Sequence, residues 1–137
     1  MTNNKIKISV IGAGNMGINH ARVLNTLGVL DKIVENNTSR HDYLISLYGN
    51  KVVTNIDDSD SDAYIIATPT SSHFPIAKKL IENGKHVLIE KPVCKTISEA
   101  DELKKIAKQS NVKIAVGHVE RFNPVVSYLK KWLSRKD

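Results

Sequence analysis

The chain alternates short β-branched apolar runs with longer runs whose apolar residues recur at helical spacing. Ile6, Ile8, Val10 and Ile11 mark a first strand that becomes buried on both faces toward its end. A glycine-rich turn follows. Met16, Ala21, Val23, Leu24 and Leu27 then predict a helix, with Gly28 as its C-terminal cap. Ile33-Val34 predicts a second strand ending at Glu35, and Ser39 is placed to cap a second helix with the apolar face Tyr43, Leu44, Leu47 and Tyr48. Val52-Val53 reads as a short third strand. Ala63-Tyr64-Ile65-Ile66-Ala67 has the composition of a buried central strand, ended by Pro69. A third helix carries Ile76, Ala77, Leu80 and Ile81 and stops at Gly84, before the strand His86-Val87-Leu88-Ile89. Ser98, with Asp101 three residues on, predicts the cap of a fourth helix whose core face is Ala100, Leu103, Ile106 and Ala107. Val112 to Val116 forms the last strand, stopped by Gly117, and a final helix runs from about Pro124 through Trp132.

About six strands with intervening helices predict an α/β domain: a Rossmann-type, doubly wound parallel sheet with helices on both faces. The length of 137 residues fits one domain, and a content of 41% hydrophobic and 25% charged residues is ordinary for a folded protein. No stretch reaches the roughly 18 apolar residues of a membrane span. The N-terminus enters a strand-like run without a signal-peptide pattern. Cys94, the only cysteine, allows neither an internal disulfide nor a cysteine metal cage. The expectation is a cytoplasmic protein with no membrane partner and no metal. The net charge of +6 comes from scattered residues, apart from Lys130, Lys131, Arg135 and Lys136 at the end. With only 5% aromatics there is little to stack bases, so that end reads as a solvated helix face and nucleic acid is not an expected partner.

Candidate chemistry begins at Gly12-Ala13-Gly14-Asn15-Met16-Gly17, which directly follows a buried strand and opens a helix. That context makes it a dinucleotide fingerprint. Gly12 permits the tight turn, Gly14 lets the backbone approach a pyrophosphate, and Gly17 lets helix and strand pack closely. Unpaired N–H groups at the helix start, over Asn15 and Met16, would bind the diphosphate. Glu35, at the end of the second strand, can accept hydrogen bonds from the adenosine ribose and would repel a 2′-phosphate, which favours NAD. Arg40 is near enough in sequence to swing toward that ribose and accept NADP, so the second cofactor stays open.

Three further segments fall at carboxyl ends of strands, where open parallel sheets build their sites: Ala67 to His73, Glu90-Lys91-Pro92, and Gly117 to Pro124. With the glycine turn and the run Gly84-Lys85-His86-Val87-Leu88-Ile89-Glu90-Lys91-Pro92, this set resembles the Gfo/Idh/MocA oxidoreductases, the family of glucose–fructose oxidoreductase and inositol dehydrogenase. The ending Gly-His-Val-Glu-Arg-Phe-Asn-Pro is similar to members that oxidise sugars or nucleotide sugars.

The resemblance implies a catalytic role for Lys91, near the nicotinamide and the reacting sugar carbon, where an ammonium can stabilise developing negative charge on oxygen. It implies that Glu90 positions the cofactor or Lys91, that Pro92 stiffens the turn, and that Thr68 and Pro69 line the cofactor cleft. Arg121 would lie near the nicotinamide end. Thr70 departs from the asparagine common in relatives. From the residues alone, Glu90 and Lys91 could equally form an exposed ion pair. His73, His20 and His118 read as packing or capping residues, and Cys94 as a packing residue. Residues 1–124 are then the dinucleotide-binding domain and residues 125–137 the start of a connecting helix. The second domain of the family, which supplies the substrate pocket and the acid/base, has no room in this chain. Alone, the chain is expected to bind dinucleotide and turn over sugar poorly. The alternative is a non-enzymatic dinucleotide-binding subunit or redox sensor working with a separate partner. Val125, Val126, Leu129 and Trp132 are expected either to fold back on the domain or to make a contact between chains, giving a homo-oligomer.

Overall fold

Five helices and six strands follow one another in a computed structural model that describes residues 5–134. They are β1 (Ile8–Ile11), α1 (Asn15–Thr26), β2 (Leu30–Val34), α2 (His41–Tyr48), β3 (Val52–Val53), β4 (Ala63–Ile66), α3 (His73–Glu82), β5 (His86–Ile89), α4 (Ile97–Gln109), β6 (Ile114–Val116) and α5 (Pro124–Leu133). All strand pairs are parallel, and the sheet order is β3-β2-β1-β4-β5-β6. This is the doubly wound order, in which the chain reverses direction across the sheet between β1 and β4. No helix among the described residues is long and apolar enough to cross a membrane.

Alternation along the strands divides the core into two layers. Val10 and Ile65 pack with Ala21, Leu24 and Leu44 under α1 and α2. Ile11, Tyr64, Ile66, Val87 and Ile89 pack with Ala77, Leu80, Ile81, Leu103 and Ala107 under α3 and α4. The strands are thus buried on both sides, as their uninterrupted apolar runs require.

The structure moves several expected details. On α1 only Gly17, Ala21 and Leu24 are buried, while Met16, Val23 and Leu27 are exposed. The helix meets the sheet through these three residues, so its contact strip is narrower than its apolar spacing suggests. On α2 only Leu44 is buried, and Tyr43 and Leu47 face solvent, because this helix sits beside the two-residue edge strand β3. Ser39 does not cap α2, whose N-cap position is Arg40 with no side-chain cap; Ser39 instead bonds Asn37, whose Oδ1 accepts from the Ser39 N–H and hydroxyl at 3.1 and 2.7 Å. A 3-10 turn over Thr38–Arg40 then leads into α2. The cap expected at Ser98 is Thr96. Its hydroxyl accepts from the Glu99 N–H at 3.2 Å, and Glu99 Oε2 accepts from the Thr96 N–H at 3.1 Å. Both Thr96-x-x-Glu99 and Ser98-x-x-Asp101 carry the capping pattern, but only the longer glutamate is seen reaching back to its cap residue.

Asn123 caps α5 and Pro124 occupies its first turn, which launches the helix off the preceding 3-10 turn Val119–Phe122. That turn is its main packing partner. Val125, Val126, Leu129 and Trp132 do not fold back: they are 41–63% exposed. Lys130 and Lys131 are exposed as expected, whereas Arg135 and Lys136 lie outside the described residues.

Candidate functional site

The turn after β1 is built by its glycines. Gly12 has φ +87°, and a Cβ there would lie 2.9 Å from both the Ala67 carbonyl oxygen and Thr68 Cγ2. The turn is therefore packed against the segment that follows β4. A Cβ on Gly17 would overlap the Gly12 carbonyl, so α1 can start this close to the turn only with glycine in its first turn. Gly14 stands at the N-cap position with no side chain capping the helix, and a Cβ there would meet nothing within 4 Å. Open space thus lies in front of the free N–H groups of a helix start, the surroundings an anionic diphosphate requires.

Glu35 follows β2 and is buried. Its Oε2 accepts from the Ala13 N–H at 2.9 Å, and its Oε1 accepts from the Asn37 N–H at 2.9 Å. The carboxylate is thereby fixed to the glycine turn, and each oxygen retains acceptor capacity for a hydroxyl. Glu35 is therefore not a solvated strand-end carboxylate. The bond to Ala13 carries no sequence signal, because it joins segments brought together only by the pairing of β1 with β2.

A cleft of about 650 Å³ is lined by Gly12, Gly14, Glu35, Arg40, Thr68 and Pro69, among others. A second depression of about 470 Å³ is lined by Lys91, Pro92, Gly117, His118, Glu120 and Arg121, with Val119. The expected site residues therefore gather at the carboxyl ends of the strands, in two places. Asn15 and Met16 are exposed at the start of α1 and line neither. Thr70 lies in a 3-10 turn, Thr70–Ser72, between Pro69 and α3.

Glu90 lines neither space. It is buried, and its Oε1 lies 2.7 Å from His20 Nε2. Among the described residues Lys91 makes no salt bridge, so the strand-end pair Glu90–Lys91 is absent, and the Glu90 partner is the histidine of α1. The Lys91 side chain is exposed, and the Lys91–Pro92 peptide is cis. His20 and His73 both exceed the packing role read from sequence. The ring of His73 bonds backbone carbonyls on two separate loops. Neither histidine has a periodic signature, and their partners lie in other elements. Cys94 is buried, and burial first, then the nearby Glu99 charge, pushes its thiol above the usual cysteine range.

Residues 6–118 match the model of an oxidoreductase family with an NAD-binding Rossmann fold. UDP-N-acetylglucosamine 3-dehydrogenase of Acidithiobacillus ferrooxidans is 31% identical over 128 residues, covering 92% of this chain and 41% of that protein. Its solved structure has a TM-score of 0.85 over 93% of this chain and 41% of its own. The scyllo-inositol 2-dehydrogenase (NAD(+)) of Bacillus subtilis is 28% identical over 135 residues, covering 93% of this chain and 40% of that protein. GenD2 of gentamicin A biosynthesis, solved in complex with NAD, is 31% identical with a TM-score of 0.75, covering 82% of this chain and 34% of its own. The chain thus spans about two fifths of the length of the curated relatives just described. The glycine turn, the sheet order and the extent of the match together make it an NAD-binding Rossmann domain, and the chain belongs to the Gfo/Idh/MocA oxidoreductase family.

Proposed function

We propose that this domain holds NAD for hydride transfer to or from a hydroxyl-bearing carbon of a sugar or nucleotide sugar. The observation that carries the reading is that the open helix start at Gly14 and the fixed Glu35 carboxylate border one cleft, while Lys91 lines a second depression at the carboxyl ends of the strands. In this arrangement the N–H groups after Gly14 bind the diphosphate and Glu35 accepts from the adenosine ribose. Thr68 and Pro69 wall the cleft, and Arg121 lines the depression that holds Lys91. Bound NAD supplies the hydride acceptor, and the protein supplies position and charge. The Lys91 ammonium hydrogen-bonds the substrate oxygen and stabilises negative charge as it develops there. The substrate names of the relatives support the sugar class. The substrate surface and the proton acceptor would come from outside residues 1–124, as the shorter span of this chain against its relatives suggests. A buried carboxylate beside the ribose disfavours a 2′-phosphate, so NAD is preferred although Arg40 borders the same cleft.

The exposed apolar residues of α5 favour a second reading, in which the domain serves a separately encoded partner chain. Calorimetric titration of the chain with NAD and NADP, followed by assay with candidate sugars, tests both. Tight NAD binding without turnover supports a cofactor-holding domain. Turnover at ordinary enzyme rates by the chain alone would remove the claim that the substrate surface lies elsewhere.

A further inference from the structure

His73 opens α3 and is only 1% exposed. Its Nε2 lies 2.8 Å from the Thr68 carbonyl oxygen, and its Nδ1 lies 2.9 Å from the Pro92 carbonyl oxygen. Neither carbonyl belongs to α3, so the ring is not acting as a local cap. A carbonyl only accepts, so each contact draws on a ring N–H; the neutral ring supplies one and the imidazolium both. The two loops so joined are the ones that matter. Ala67 and Thr68 press on Gly12 of the phosphate-binding turn, and Ser72 stiffens that segment by donating to the Pro69 carbonyl at 2.7 Å while its Oγ lies 2.8 Å from Thr68 Oγ1. Pro92 is bonded directly to Lys91. A continuous path of contacts thus runs from the glycine turn through Thr68 and His73 to the lysine.

We propose that His73 is a positioning residue that fixes Lys91 relative to the bound dinucleotide by tying the loops after β4 and β5 together. This rests on the reading of Lys91 as the group beside the nicotinamide. A general packing role would make His73 important for stability alone. A positioning role predicts something narrower: the charge of Lys91 is held at a set place by the nicotinamide, and that charge disfavours the cationic oxidised ring relative to the reduced one.

The test is the ratio of the dissociation constants for NAD⁺ and NADH, measured on the intact chain. A unit charge at close range changes such a ratio by about fivefold. Lys91→Met is expected to lower the ratio by about that factor. His73→Phe keeps an aromatic ring but has no N–H, and is expected to lower it similarly. The double variant should go no lower, because both changes remove one interaction. His73→Gln, which keeps a donor, should restore part of the ratio. If His73→Phe weakens both forms equally and leaves the ratio unchanged, the positioning role is overturned while the reading of Lys91 stands. If Lys91→Met leaves the ratio unchanged, the reading of Lys91 fails, and this inference with it. Should His73→Phe not fold, nitrogen NMR of the wild-type ring decides. The His73 ring signals should shift on NADH saturation together with those of the Gly12–Gly17 turn, and an unmoved ring beside a shifted turn would overturn the proposal.

Discussion

Glu90 Oε1 lies 2.7 Å from His20 Nε2, a contact that ties the end of β5 to α1, and the same carboxylate lies against Gly117 at the end of β6. A Cβ on Gly117 would stand 2.9 Å from Glu90 Oε2 and 3.0 Å from Cδ. Gly117→Ala must therefore push the carboxylate out of place. The expected cost is about 1–3 kcal/mol, as for other overpacked sites. His20→Ala leaves a buried carboxylate without its partner and should cost about 1–3 kcal/mol, with His20→Gln recovering part of it. Urea denaturation of the three variants measures both effects. A change within about 0.5 kcal/mol for Gly117→Ala would mean that Glu90 has room to move.

Glu35 is braced by the N–H groups of Ala13 and Asn37, one on each oxygen. In Glu35→Gln the amide keeps one acceptor and turns a donor toward one of those N–H groups. The variant should bind NAD about tenfold more weakly, equivalent to about 1.4 kcal/mol. It should also lose discrimination against NADP, since the charge that repels the 2′-phosphate is gone. Calorimetric titration with both dinucleotides reads the two constants. Unchanged NAD affinity would place the ribose away from Glu35.

What the sequence made legible is what depends on neighbours along the chain. Gly12, Gly14 and Gly17 could be assigned separate duties because each duty is local to one strand–turn–helix unit; a Cβ would collide at Gly12 and Gly17 and meets open space at Gly14. Val52-Val53 and Ala63 to Ile66 could be read as strands because β-branched and apolar composition marks a buried sheet. The misplaced cap at Ser98 is a failure of register, because Thr96 and Ser98 both lay within reach of the same helix start, whereas at Ser39 a 3-10 turn intervenes and α2 starts without a side-chain cap. Val23 and Leu27 have helical spacing but lie beyond the strip that meets the sheet. The roles of His20 and His73 were not legible at all. His20 meets Glu90 across 70 residues of sequence, a pairing that exists only once α1 and β5 are placed by the sheet order.

The capping box of α4 offers a direct test of that register. Thr96→Ala removes the acceptor for the Glu99 N–H and should destabilise the domain by about 1 kcal/mol. Ser98→Ala, inside the first turn, should stay within about 0.5 kcal/mol of wild type. Thermal melts of the two variants separate the assignments, and the reverse order would return the cap to Ser98.

Burial raises the proton affinity of the Cys94 thiol, with the Glu99 charge adding to it. A raised value means that the thiol stays protonated to higher pH than in an open peptide, and only the thiolate attacks an alkylating agent. Iodoacetamide at mildly alkaline pH should therefore modify the folded chain much more slowly than the chain in urea. Equal rates would show that Cys94 is reached by solvent in the native state.

The α5 helix carries Val125, Val126, Leu129, Trp132 and Leu133 at spacings that form one apolar stripe, and all are exposed. Such a stripe is a patch that soluble monomers rarely leave uncovered. Among the described residues α5 packs mainly on the preceding turn, so its stripe is open to burial against another molecule. Sedimentation of the chain should show concentration-dependent self-association. The double change Leu129→Glu and Trp132→Glu places two charges in the stripe and should return the chain to monomer without lowering its melting temperature, since neither side chain supports the core. If the wild-type chain stays monomeric at high concentration, self-association through α5 is wrong.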